Sequence, residues 1–147
     1  MKTALTVLSA MFLLAVPSFA VLGQSVQSVQ SDQQHLRGQL RSISRQGYSV
    51  QQISAADGAI VKEYVSPAGV VFGISWQGAA MPNLSQLLGS YFPQFQHASR
   101  SAVRRRQALV VRTDQLVVES GGHMRAFRGR AYVPGLVPNN LLPPVVK

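Results

Sequence analysis

Between Tyr48 and Gln77 the chain reads as three strands joined by two turns, and this stretch limits the fold more than any other. Tyr48 to Ser54 and Ala59 to Val65 flank Ala56-Asp57-Gly58. Asp-Gly tolerates the positive φ angles of a tight hairpin. Ser66-Pro67-Ala68-Gly69 makes the second turn, with Pro setting φ at its second position. Val70 to Gln77 then alternates. Val70, Phe72, Ile74 and Trp76 fall on one face, and Val71, Gly73, Ser75 and Gln77 on the other. An antiparallel meander needs a layer to cover its apolar face, so the flanking segments must supply one.

Ser31-Asp32-Gln33-Gln34 has the spacing of a capping box and predicts a short helix to about Ser42, with Leu36 and Leu40 on one side. Asn83 is placed to cap a second helix. Leu84, Leu87, Leu88, Tyr91, Phe92 and Phe95 recur at steps of three and four, an apolar stripe fit to pack on a sheet. Pro93 removes an amide and predicts a kink or break at Phe92. Beyond it the pattern continues through Ala98 and Ala102 to Arg104-Arg105-Arg106. Ala108 to Arg112 and Leu116 to Ser120 then read as strands, with Gly121-Gly122 as a reversal before a longer strand from His123 to Val133. Four prolines from Pro134 to Pro144 exclude helix and central strand, leaving an extended tail. The expected fold is therefore α+β. About six antiparallel strands pack against one main helix, Asn83 to Arg106, with a short N-terminal helix and a proline-rich tail.

Lys2, the apolar run Ala4 to Val16, Pro17 and the small residues Ser18 and Ala20 read as a secretory signal, with cleavage between Ala20 and Val21. The organisation expected is a signal peptide over 1–20, one domain over 21–133 and the tail over 134–147. Residues 21–30 are a flexible leader, and no membrane span remains once the signal is removed. No cysteine is present, so neither disulfides nor thiolate metal sites are available, and packing alone must hold the domain. The location expected is the periplasm or the medium.

The chain carries 14 Lys+Arg against 5 Asp+Glu. Eight arginines fall between Arg100 and Arg130, opposed there only by Asp114 and Glu119. Such a field attracts polyanions, which outside the cytoplasm means anionic envelope lipid, acidic polysaccharide or another envelope protein, with no specific nucleic acid expected. By period two, Arg128, Arg130 and Tyr132 share a face of the last strand, a guanidinium pair beside an aromatic ring suited to carboxylate or phosphate. Together with Arg100, Arg104, Arg105 and Arg106 they form the expected ligand surface. A solvated outer face whose charges blunt edge pairing accounts for the same residues.

Glu119, Ser120 and His123 are an alternative centre, for a hydrolase or a metal protein. Against it, neighbouring strand residues point to opposite faces, and no glycine stands two residues before Ser120 as a nucleophile elbow requires. His35, His97 and His123 lie in separate elements without metal-ligand spacing, and Gly121-Gly122 does not open a helix as a phosphate loop would. No catalytic residue, metal or cofactor is therefore assigned.

Three segments in order, "KEYVSPAGVVFGISWQG", "MPNLSQLLGSYF" and "LVVESGGHMRAFRGRAYVP", resemble a small family of exported bacterial proteins, Domain of Unknown Function 2844. The likeness runs from about Leu22 to Pro138, and SGGHMRAF is its most specific part. It implies a signal peptide, one domain and no assigned activity, so it transfers no functional residue.

Overall fold

The structure is a computed structural model that describes residues 22–102, 104–105, 108–142 and 145–147, with only the backbone for 104–105. The cleavage site expected at Ala20 and Val21 lies outside the described residues, as does Arg106.

In chain order the elements are α1 (Val29–His35), β1 (Gln39–Arg45), β2 (Tyr48–Ser54), β3 (Ile60–Val65), β4 (Val71–Gly78), α2 (Leu84–Leu88), α3 (Phe92–Ser101), β5 (Arg104–Arg105), β6 (Ala108–Arg112), β7 (Val117–His123) and β8 (Ala126–Tyr132). The strands form one antiparallel sheet in the order β1-β2-β3-β4-β8-β7-β6-β5. β5 is only a two-residue pair at the edge, which leaves seven strands of substantial length. The expectation of about six strands on one main helix is thus overturned: the fold is mostly β, with short helices.

Two local readings account for the difference. Gln39 to Ser42, the end of the expected N-terminal helix, belongs instead to strand β1, which is paired residue for residue with β2. α1 starts earlier, at Val29, so Ser31 lies inside it rather than at a cap, and the Ser28 N-cap side chain makes no capping bond. The long helix is likewise divided. Asn83 does cap α2, its Oδ1 accepting from the amides of Ser85 (3.1 Å) and Gln86 (3.4 Å). A 3-10 turn over Gly89–Tyr91 then re-aims the chain, and Pro93 sits in the first turn of α3, where its missing N–H costs nothing. α3 stops at Ser101, and Arg104–Arg105 is strand, not a helix end.

The last hairpin turns three residues later than the glycines predict. Gly121 and Gly122 lie within β7, and the reversal is at Met124-Arg125, Arg125 taking φ +66°. Gly122 is needed for closeness: a Cβ there would stand 2.2 Å from the Ala126 carbonyl oxygen.

The sheet is covered on both sides. On one face α2 and α3 bury Leu87, Leu88 and Phe95 against Val61, Ile74, Trp76, Val118 and Ala131. Each fully buried aliphatic or aromatic side chain there is worth about 1.5–3 kcal/mol. Residues 22–28, read above as a flexible leader, are pinned beside this core. Leu22 is fully buried, and Gly23 donates to the Val71 carbonyl at 2.8 Å. The other face is covered over one half by the proline-rich tail. Leu136, Val137, Leu141, Val145 and Val146 pack on Val50, Tyr64, Phe72, Val117 and Tyr132. Val146 is fully buried because Gly73 beneath it has no side chain; a Cβ there would lie 2.5 Å from Val146 Cγ2. The uncovered half of this face is the site.

Candidate functional site

Where the tail ends, the sheet opens into a trough of about 1060 Å³, with Ile60, Lys62, Ser75, Gln77, Arg128 and Arg130 in its lining. Register explains its charge. Directly paired residues share a face, and one row across the sheet reads Arg41, Gln52, Lys62, Ser75, Arg130, Glu119, Val110. A cation thus stands on every second strand from β1 to β8, with an uncharged polar residue between, at intervals of roughly 9–10 Å. The next row adds Ile60, Gln77, Arg128 and Gly121.

Glu119 sits on this face between two guanidinium groups. Its Oε1 accepts from Arg112 Nη2 at 2.7 Å and its Oε2 from Arg130 Nε at 2.9 Å. Arg130 also donates from Nη1 to the Val146 carbonyl at 3.1 Å, so it is held from two sides. Arg128 is exposed and makes no ion pair among the described residues. Beside them, Tyr64 and Ser75 are buried, and both hydroxyls donate to the Lys147 main-chain oxygen at 2.6 Å.

Of the residues predicted from sequence, the structure brings Arg128 and Arg130 to one trough. Tyr132 shares their face but is buried in the tail-side cluster, away from solvent. Arg100 is exposed on α3, in the helical layer on the opposite side of the sheet. Arg104 and Arg105 lie on edge strand β5, and their side chains fall outside the described residues, as does Arg106.

The members of the alternative centre diverge. Glu119 faces the trough; Ser120 faces the helical side, where its hydroxyl contacts Met81 Sδ at 3.8 Å. His123 is exposed at the hairpin end, its Nδ1 3.2 Å from the Met124 carbonyl oxygen. Sequence reading missed Arg41, Lys62, Ser75, Gln77 and Tyr64. Alternation within β2 to β4 carried the signal for Lys62, Ser75 and Gln77. Arg41 was hidden by the helical reading of its segment.

It also missed a buried acid pair. Asp32 of α1 and Glu63 of β3 are both fully buried. Gln86 Nε2 donates to Asp32 Oδ1 at 2.8 Å. Among the described residues no other donor reaches Asp32 Oδ2 or either Glu63 oxygen, so the contact between the carboxyls is a hydrogen bond only while one of them keeps its proton. Burial pushes the Glu63 carboxyl up to about 9, helped by the charge of Asp32 and by the hydrogen bond to it. Burial raises Asp32 as well, against the bonds from Gln86 and Glu63 that favour its charged form. Glu63 is therefore the member that holds the proton.

No curated protein and no solved structure matches the chain. The family described as Protein of unknown function (DUF2844) matches residues 18–145, which take in α1, the whole sheet and most of the tail, and the chain accordingly belongs to that family.

Proposed function

We propose that this chain is an exported binding module of the bacterial envelope whose open sheet face takes an extended acidic polysaccharide. The observation that carries the reading is the row of Arg41, Lys62 and Arg130 on alternate strands, facing the same side. Regular charge spacing across a stiff sheet suits a polymer whose own charges recur along its length. A trough half closed by the tail fits a strand laid along it better than a flat bilayer. Arg128 supplies a guanidinium with no carboxylate partner among the described residues, and Gln52, Ser75 and Gln77 supply hydrogen-bonding groups for hydroxyls between the charges.

The test is titration with polygalacturonate, a linear polyuronate, beside a neutral glucan and vesicles rich in anionic lipid. Polygalacturonate should bind, the glucan should not, and affinity should fall steeply with salt as exposed charges are screened. Lys62→Ala and Arg128→Ala should each weaken binding roughly tenfold, about 1.4 kcal/mol. Binding to vesicles alone would replace the glycan by a lipid headgroup, and binding to none of the three would remove the reading.

A further inference from the structure

Tyr64, Ser75 and Arg130 converge on a short stretch of main chain. The two hydroxyls donate to the Lys147 oxygen at 2.6 Å each, and Arg130 Nη1 donates to the adjacent Val146 oxygen at 3.1 Å. Tyr64 Oη accepts in turn from the Lys147 amide at 3.0 Å. Tyr64 is 4 % exposed and Ser75 5 %, so both hydroxyls are committed to whatever lies over them. Two buried hydroxyls and a guanidinium aimed at neighbouring oxygens are the donor set of an oxyanion site. What occupies it is the chain's own residues 145–147, reached through a proline-rich connection and anchored by Val146 on Gly73.

We infer that residues 145–147 are a displaceable latch whose main-chain oxygens stand in an oxyanion subsite of Tyr64, Ser75 and Arg130, and that an acidic ligand competes with the latch for it. This rests on the proposed polysaccharide reading, because the subsite lies at the end of the same trough and shares Arg130 with it. A carboxylate would bring full charge to Arg130 Nη1, which now faces a main-chain oxygen while Nε and Nη2 hold Glu119, and charge-assisted bonds are roughly twice as strong as neutral ones. A latch closed nine times in ten lowers apparent affinity about tenfold.

Two variants open the latch by independent means: a chain stopped after Pro144, and Gly73→Ala in the full chain, whose new methyl group takes the space of Val146. Each is checked for folding by circular dichroism and titrated with polygalacturonate. Either should bind about tenfold tighter than the parent. Adding Tyr64→Phe and Ser75→Ala to the shortened chain should erase that gain. In the full chain the same pair should change affinity less than about twofold, since those groups serve latch and ligand alike. Folded variants that bind no tighter than the parent overturn the inference. If polygalacturonate binds no form, the polysaccharide reading falls by itself, and inorganic phosphate decides the latch: the opened chains should bind it about tenfold more tightly than the full chain. Opened chains that bind phosphate no tighter than the full chain then overturn the latch too. Should neither variant fold, hydrogen exchange of the Lys147 amide in the full chain decides: it should quicken when saturating polygalacturonate or phosphate is added, and unchanged protection under both overturns the inference.

Discussion

The Glu63 carboxyl lies against that of Asp32 in the interior, and among the described residues no other donor reaches either Glu63 oxygen. Unfolded, Glu63 titrates near its ordinary value of 4.5; folded, it titrates at about 9. Between these values the native state keeps a proton that the unfolded state releases, so stability falls as pH rises through the window. Below it both states are protonated and the contribution is constant. Asp32 is raised as well and adds in the same sense. Thermal melts should show the chain losing stability from about pH 5 to about pH 9, and Glu63→Gln, which donates to Asp32 without titrating, should flatten that slope. Equal slopes for parent and variant would show that the pair does not share a proton.

Gly129 lies directly beneath the Trp76 indole. A Cβ at Gly129 would stand 2.3 Å from Trp76 Cζ2 and 2.7 Å from the Glu119 carbonyl oxygen. Neither a packed indole nor a strand carbonyl yields cheaply, so Gly129→Ala should cost about 1–3 kcal/mol in urea denaturation. Gly135 has open space around it and no positive φ, and Gly135→Ala should stay within about 0.5 kcal/mol of the parent.

Glu119→Gln removes both ion pairs on the trough face at once. Because these side chains remain partly solvated, the stability loss should be about 1 kcal/mol or less. The same change strips the trough of the one acidic side chain among its described lining residues and frees two arginines. Affinity for polygalacturonate should therefore rise several-fold, with a steeper dependence on salt. A fall in affinity with the fold intact would mean that Glu119 acts chiefly by holding Arg130 in position.

Asn83 satisfies two amides at the start of α2. Asn83→Ala should lower stability by about 1 kcal/mol, measured by denaturation, and Asn83→Ser should recover most of it. No change in Asn83→Ala would show that packing of Leu87 and Leu88 sets this helix without its cap.

What could be read from sequence was chemistry that acts over a few residues. Asp57-Gly58 makes its turn locally: Gly58 takes φ +84°, and Asp57 Oδ1 accepts from the Ala59 amide at 2.9 Å. The β2–β3–β4 meander follows from that turn and from alternation, except that a register shift at the start of β4 puts Phe72 on the tail side and Val71 with Ile74 and Trp76. The apolar stripe of Leu87, Leu88 and Phe95 did mark a sheet-covering layer, and period two did place Arg128 beside Arg130. Those signals survive because neighbours along the chain impose them.

Tertiary structure settled everything whose partner is distant. Gln39–Arg45 carries a pattern that helix and strand both satisfy, and pairing with β2 chose strand. Gly121-Gly122 has turn chemistry, yet the close approach of β8 uses it inside a strand. The cationic row exists only because β8 pairs with β4, and the acid pair only because α1 settles over β3. Local preferences amount to a few tenths of a kcal/mol per residue, whereas each buried side chain is worth several times that. Where the two disagree, burial against a remote neighbour decides.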